Sequence, residues 1–483
     1  MSVSAEAHLP RVRFGLRPNR GLLLGLSTIR VVAVGAAAVL LVAGLVGAGG
    51  AGLAATALLW VPLLAAAFVT WQSRPAAEWA PVVGHWALRH AAGQTRYRAR
   101  LGRPRPAGTM ALPGDAAALR FYTDPASGAC MIHDPHRQTL AAVVRVTHPA
   151  YILLSPGQQQ ARVAAWGRAL AGLAPSGTCA CIQLLESTVS DSGEAIAAWY
   201  EAHRSRQSGW ASNQYRHLLS RAGMGATTHR STITLSLDMR RAARAIRNAG
   251  RGMAAAAQIL RGDMYALEFG LREAELRLEG WLDEDDLSAM VRHAYDPFPV
   301  GSDRGWARRR LANAGPTAVD ERWDCLRHDS GWSTVLWVSE WPRIDVPAHF
   351  LHGVVFAPGV RKSICFLARP LGAAEALRQI RKEKTEMLTD AATRARIGQI
   401  ADLSDNQHFA DVAAREQALI CGHADMAFSG YITVTAPSRP ELTGAVAQIE
   451  RAATAAACET QVVYGAQAQA FVAARLPLGR YTA

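Results

Sequence analysis

The chain has 483 residues, of which 50% are hydrophobic and only 19% charged. That is enough apolar mass to bury two or three cores and too little charge for a disordered polyelectrolyte. Its 52 basic and 39 acidic residues leave +13, and Lys362, Lys382 and Lys384 are the only lysines, so the excess is carried by guanidinium groups. Residues 1–105 hold twelve arginines against Glu6 and Glu78, which is +10 of that total. The near-neutral remainder argues against a chain that coats nucleic acid, and nucleic acid stays open as a partner of the basic end alone.

A basic tail, 1–30, precedes a stretch from Val31 to Trp71 that contains no charged residue. At ~1.5 Å per residue its 41 residues would reach about 60 Å, twice a hydrocarbon core, so one crossing cannot use them. The glycine-rich run Val46–Gly52 divides it into spans near Val31–Gly47 and Leu53–Trp71, which predicts a two-helix transmembrane hairpin over 31–72. Arginines flank both ends, so both termini are expected in the cytoplasm and the protein in the inner (cell) membrane. A cleaved signal peptide would have a shorter apolar core and no second span directly behind it.

The segment 73–113 is basic and juxtamembrane. Trp79 to His90 suits a short interfacial helix, and Arg96, Arg98, Arg100, Arg103 and Arg105 suit an arm lying along anionic lipid.

From there the pattern predicts a first α+β unit over 114–300. Strands are expected at Ala118–Tyr122, Thr139–Val146, Tyr151–Leu154, Cys179–Leu185 and Ser231–Leu237, and helices at Gln158–Ala174, Glu194–Arg221 and Met239–Arg261. A linker loop at 301–316 leads into a second unit, 317–483, that repeats the logic of the first. Its strands are expected at Glu321–Leu326, Trp332–Glu340, Val354–Phe356, Ser363–Leu367, Ala427–Ala436 and Thr460–Val463. Its helices are expected at Ala373 to about Ile400, Pro440–Ala457 and Ala466–Ala474. Mixed order with returning strands gives the fold class as α+β behind a membrane hairpin.

Few constellations carry chemistry. No Gly-Lys dipeptide occurs in the sequence, which excludes a phosphate loop whose glycines cradle phosphates while a lysine reaches the terminal ones. His133-Asp134-Pro135-His136 reads as a hairpin turn, and the acidic run Glu279–Asp286 as a helix cap through Asp283 or Asp285. Seven scattered cysteines without a CxxC pair read as reduced, partly buried thiols rather than zinc ligands. No catalytic residue, cofactor or metal is expected. Arg240, Arg244, Arg247 and Arg251, at i, i+4, i+7 and i+11, would share one face of the helix predicted there. They are the candidate partner-contact stripe.

Gly430-Tyr431-Ile432-Thr433-Val434-Thr435-Ala436, Arg439-Pro440-Glu441-Leu442, Trp341-Pro342 and the run from Gln467 to Gly479 together resemble the N-terminal, non-motor domain of conjugative type IV secretion ATPases. That resemblance implies an α+β assembly domain apposed to the membrane. In the family the motor follows the Leu-Pro-Leu-Gly element, whereas this sequence ends at Ala483, so a separate motor is expected. Glu78–Val83 and Gly93–Arg100 look like an actinobacterial family of hairpin-anchored proteins from conjugation-like secretion loci. The E component of type VII secretion membranes is also similar. These resemblances imply a non-catalytic component of a secretion apparatus that docks a separate ATPase, meets other membrane components and self-associates. A membrane-bound enzyme acting on a lipid-linked or nucleotide-sugar substrate is the alternative.

Overall fold

The computed structural model describes residues 10–12, 14, 27–72, 74–100, 102, 106, 108–147, 151–174, 176–191, 194–203, 209–222, 226–298, 310–396, 403–420 and 424–481. The N-terminal part holds β1 (Arg11–Val12), α1 (Thr28–Phe68), a ribbon of β2 (Thr70–Trp71) and β3 (Arg74–Pro75), α2 (Ala76–Ala91) and β4 (Arg96–Arg98). A first unit follows with β5 (Arg120–Thr123), β6 (Cys130–Asp134), β7 (Thr139–Thr147), α3 (Pro156–Ala171) and β8 (Cys179–Asp191). It continues through α4 (Glu194–His203), α5 (Trp210–Ala222), β9 (Ala226–Asp238), α6 (Ala243–Asn248), α7 (Gly252–Glu273), β10 (Arg277–Trp281) and α8 (Glu284–Tyr295). The second unit has β11 (Ala318–Glu321), β12 (Leu326–His328), β13 (Gly331–Glu340), β14 (Val346–Pro347), α9 (His352–Val355) and β15 (Arg361–Leu371). Then come α10 (Ala373–Arg396), α11 (Leu403–Ile420), β16 (Asp425–Ala436), α12 (Arg439–Ala455), β17 (Glu459–Val462) and α13 (Gln467–Arg475).

The two units share a topology. In the first the strands lie in the order β5-β6-β7-β9-β8 with β10 beside β7, and in the second in the order β11-β12-β13-β16-β15 with β17 beside β13. They join edge to edge into one sheet through β8 and β15, which run antiparallel with Ser187 opposite Ser363 and Ile182 opposite Ala368. An antiparallel seam between equivalent strands relates the halves by an approximate two-fold axis normal to the sheet. The chain is thus mixed helix and sheet, as expected.

Period-two patterning explains why both faces are covered. Ile233, Leu235 and Leu237 of β9 join Leu140, Ala142 and Val144 of β7 under α7, while Ile364, Ile432 and Val434 pack under α9 and α12. The intervening residues Val143, Leu185, Cys365 and Leu367 face the other way, beneath Leu287 and Val291 of α8 and Phe471 of α13. Asp283 caps α8 by accepting the Asp286 N–H at 2.8 Å, as the acidic run predicted. The C-terminal segment then ties the halves together. Gln183 of the first unit donates to the Ala473 and Leu476 carbonyls and accepts the Gly479 N–H, and Arg480 reaches Asp115 and Asp134, each at 3.0 Å.

Five expectations need correction. Tyr151–Leu153 is a 3-10 turn rather than a strand, and Val354–Phe356 belongs to the end of the short helix α9, because a short apolar run does not distinguish the two periods. Glu321–Leu326 is not one strand: Glu321 ends β11, Leu326 begins β12 opposite it, and the residues between them form the turn. The helix expected over Glu194–Arg221 is two helices, α4 and α5. The helix expected over Met239–Arg261 breaks between α6 and α7, where Gly250, Arg251 and Gly252 take φ of +107°, +64° and +76°, a region that favours glycine.

Candidate membrane interface

Among the described residues, α1 is the one helix long and apolar enough to cross a membrane. Its backbone leaves helical geometry at Ala48 (φ −147°, ψ 22°) and Gly49 (φ 57°, ψ −137°), inside the glycine run where the sequence suggested a division. Arg30 Nε donates to the Ala67 carbonyl at 3.1 Å. A straight helix would hold these residues about 55 Å apart, so the two ends of the segment lie together. Near the break, a Cβ on Gly52 would sit 2.1 Å from the Gly44 carbonyl oxygen. Glycine at 52 is therefore what allows the close approach. The outward side chains are apolar, including Val39 at 68% and Leu58 at 83% exposed, far more than a water-facing helix tolerates as a continuous surface.

Both flanks of α1 dock on the second unit. Upstream, β1 pairs with β14, and the Phe14 ring lies 5.2 Å from Trp341, 5.6 Å from Phe350 and 5.9 Å from Phe428. Downstream, Trp71 and Trp79 sit 5.1 and 5.6 Å from Tyr464, and the Arg74 guanidinium lies 5.4 Å over Trp337. Ser27 donates to Glu78 at 2.6 Å and so links the two flanks.

Helix α2 carries this contact away from α1. Trp86 meets Trp323 edge-on at 5.4 Å, and Arg89 forms a bidentate pair with Glu321, whose side chains are 11% and 1% exposed. Arg89 also donates to the Gly465 carbonyl at 3.2 Å, and Glu321 accepts the Ala468 N–H at 3.2 Å. A helix from Trp79 to His90 was expected; its ion pair with a residue 232 positions later was not legible.

The first two residues of the arginine arm are built into the sheet. Arg96 and Arg98 lie on β4, opposite Asp320 and Ala318 of β11, and Arg96 is 3.5 Å from Asp320. Arg96, Arg98 and Arg100 are exposed; Arg103 and Arg105 fall outside the described residues. The predicted stripe does not form one helical face. Arg244 and Arg247 share α6, but Arg240 sits in the turn before it, and Arg251 precedes α7 with a positive φ. All four are exposed.

Elsewhere the polar groups serve the fold. Asp134 accepts the His136 and Arg137 N–H groups at 3.0 and 3.1 Å, which makes the His133–His136 motif a turn. Glu279 and Asp286 face Arg145 at 3.8 and 3.1 Å. Cys130, Cys179, Cys181, Cys325, Cys365 and Cys458 are buried and free. Burial pushes the thiols of Cys179 and Cys365 up to about 12, so they are poor nucleophiles. Cys421 falls outside the described residues.

A buried polar layer between the sheet and the helices α8 and α13 was not legible in the sequence. His328 Nδ1 donates to the Tyr295 carbonyl at 2.6 Å. That leaves Nε2 to accept from Ser333 at 2.8 Å, while Ser333 accepts from Thr435 at 2.8 Å. Arg475 donates to Ser187 at 2.8 Å, and burial followed by the nearby Arg361 lowers it to about 9. The signal was the alternation Thr232, Thr234, Ser236 and Thr433, Thr435, whose hydroxyls face this layer. No family model matches this chain, and no curated protein matches it.

Proposed function

We propose that the protein is a membrane-anchored structural component of a secretion or conjugation apparatus. The hairpin formed by α1 crosses the inner membrane twice, and the two-unit body lies beneath it in the cytoplasm. The observation that carries this reading is the docking of residues before and after α1 on the same unit, through Phe14 on one side and Trp71, Trp79 and Arg89 on the other. A segment whose two flanks share one solvent compartment crosses the bilayer an even number of times. A 41-residue apolar segment is about twice as long as one crossing needs, which makes two crossings the economical count. Trp71 and Trp79 then lie at headgroup depth, where an indole buries its ring and keeps its N–H polar.

The assembly role rests on the resemblance to secretion components and on the lack of a phosphate loop in these 483 residues. In this reading a separate ATPase docks on the cytoplasmic body, and copies of the chain associate through the membrane. Solubilised intact, the protein should co-purify with a P-loop ATPase and with further copies of itself. Arg244→Glu with Arg247→Glu should weaken ATPase capture, and unchanged capture would make the exposed arginines of α6 a solvated face only. Robust turnover of a lipid-linked or nucleotide-sugar substrate by the purified chain alone would refute the structural role.

A further inference from the structure

The helical pair α10 and α11 interrupts the hairpin between β15 and β16, and its place in the fold follows from the strand register. Leu371, at the end of β15, lies opposite Asp425 at the start of β16. Phe428, three residues into that strand, is one of the rings that hold Phe14, and Trp337 of β13, which carries Arg74, lies opposite Tyr431. The pair therefore leaves the sheet at the end where Phe14, upstream of α1, docks, while Arg74, downstream of α1, lies over the middle of β13. The equivalent pair α4 and α5 follows β8, which is antiparallel to β15, and so leaves from the opposite end.

Helix α10 has two dissimilar faces. One packs on α11 through buried Glu383, which meets His408 at 3.6 Å and Arg415 at 3.4 Å, and through the pair Lys384 with Glu416. The other carries Arg378, Arg381, Lys382 and Arg396, all exposed. At 100° per residue these four fall within an arc of roughly 100°. Glu375, Glu383, Glu386 and Asp390 lie to one side of that arc, with Lys382 3.7 Å from Glu386 at the border. Leu388, 63% exposed, lies at the other border. A cationic arc beside an exposed leucine matches the surface of an anionic bilayer, where headgroup phosphates meet the guanidinium and ammonium groups and the leucine enters the interface.

We propose that the Arg378–Arg381–Lys382–Arg396 face of α10 is a second membrane contact, which rests on anionic lipid and holds the body against the leaflet that α1 crosses. This rests on the membrane reading of α1. Each basic residue brought to an anionic surface strengthens attachment about fivefold, so the face fixes the tilt of the body while α1 supplies the anchorage.

The test uses the full chain in nanodiscs of zwitterionic or anionic lipid, with Cys421→Ser as background and a polarity-sensitive dye on Leu388→Cys. The dye should shift to the blue in anionic discs only, and Arg378→Glu with Arg381→Glu and Lys382→Glu should abolish the shift. A dye on Val39→Cys should report hydrocarbon in both lipids. If Val39 is dry and Leu388 stays aqueous in both lipids, the α10 contact is overturned while the anchor stands, and an acidic protein surface becomes the partner to seek. If Val39 is wet, the membrane reading itself fails.

Discussion

The Arg89–Glu321 pair makes the docking of α2 measurable. Glu321→Ala removes a carboxylate that is 1% exposed and leaves the Arg89 guanidinium, 11% exposed, without its counter-charge and facing the Gly465 carbonyl. It also strips the Ala468 N–H of its acceptor. Removing one partner of a buried pair costs about 3–5 kcal/mol because the other charge stays desolvated. If α2 opens locally from the second unit, amide exchange along its middle should quicken by about 10²–10⁴ fold. Hydrogen exchange on the protein in detergent or nanodiscs reads this directly, with α7 of the first unit as internal reference. Arg89→Met with Glu321→Met should recover most of the protection, since it leaves no lone charge. A change below about tenfold in Glu321→Ala, near 1 kcal/mol, would show that the pair is solvated and that the docking argument fails.

Other outcomes follow from the same physics. Gly52→Val should block the close approach at the break, because its Cβ alone would overlap the Gly44 carbonyl oxygen; disulfide cross-linking between cysteines at 30 and 67 should drop sharply, and an unchanged yield would contradict the glycine's role. Phe471→Ala empties a fully buried site beside Tyr295 and His328 and should cost about 3–5 kcal/mol in denaturant unfolding; a cost under 1 kcal/mol would mean that α13 is not part of the core. Burial lowers His328 from its usual 6.5 to about 4. The unfolded chain therefore takes up a proton below about pH 6.5 that the folded chain refuses until about pH 4, and stability present above 6.5 is lost as the pH falls through that window, by an amount on the order of 3 kcal/mol. Unfolding free energies between pH 7 and 4.5 should fall more steeply for the wild type than for His328→Asn, and parallel slopes would contradict the neutral histidine.

Long elements with one clear period were legible in the sequence. Thr139–Val146, Trp332–Glu340 and Ala427–Ala436 are strands, and the helix predicted over Pro440–Ala457 is α12, because many residues voted for the same period. Short apolar runs were not legible: Val354–Phe356 has three apolar residues that suit either period. The stripe failed for a local reason. Spacing placed four arginines on one helix, but Gly250 and Gly252 flank Arg251 and permit the positive φ values that end α6 and restart α7.

The seam could not be read at all. Ser187 and Ser363 carry no pairing signal, and the joining of the halves at β8 and β15 depends on their being equivalent edges of a repeated topology. The interface at α1 was half legible. Length and glycines marked the division of the apolar run, and the tryptophans marked its border. The partners on the second unit, Trp323, Tyr464 and Glu321, lie hundreds of residues away and became visible only in three dimensions.

Cysteine accessibility in intact cells tests the anchor most directly. With a membrane-impermeant reagent, Ala51→Cys, beside the break in α1, should label from outside. Thr454→Cys, on the exposed side of α12, should label only after the cells are permeabilised. Labelling of Thr454→Cys from outside, with Ala51→Cys protected, would place the body on the wrong side of the membrane and contradict the account.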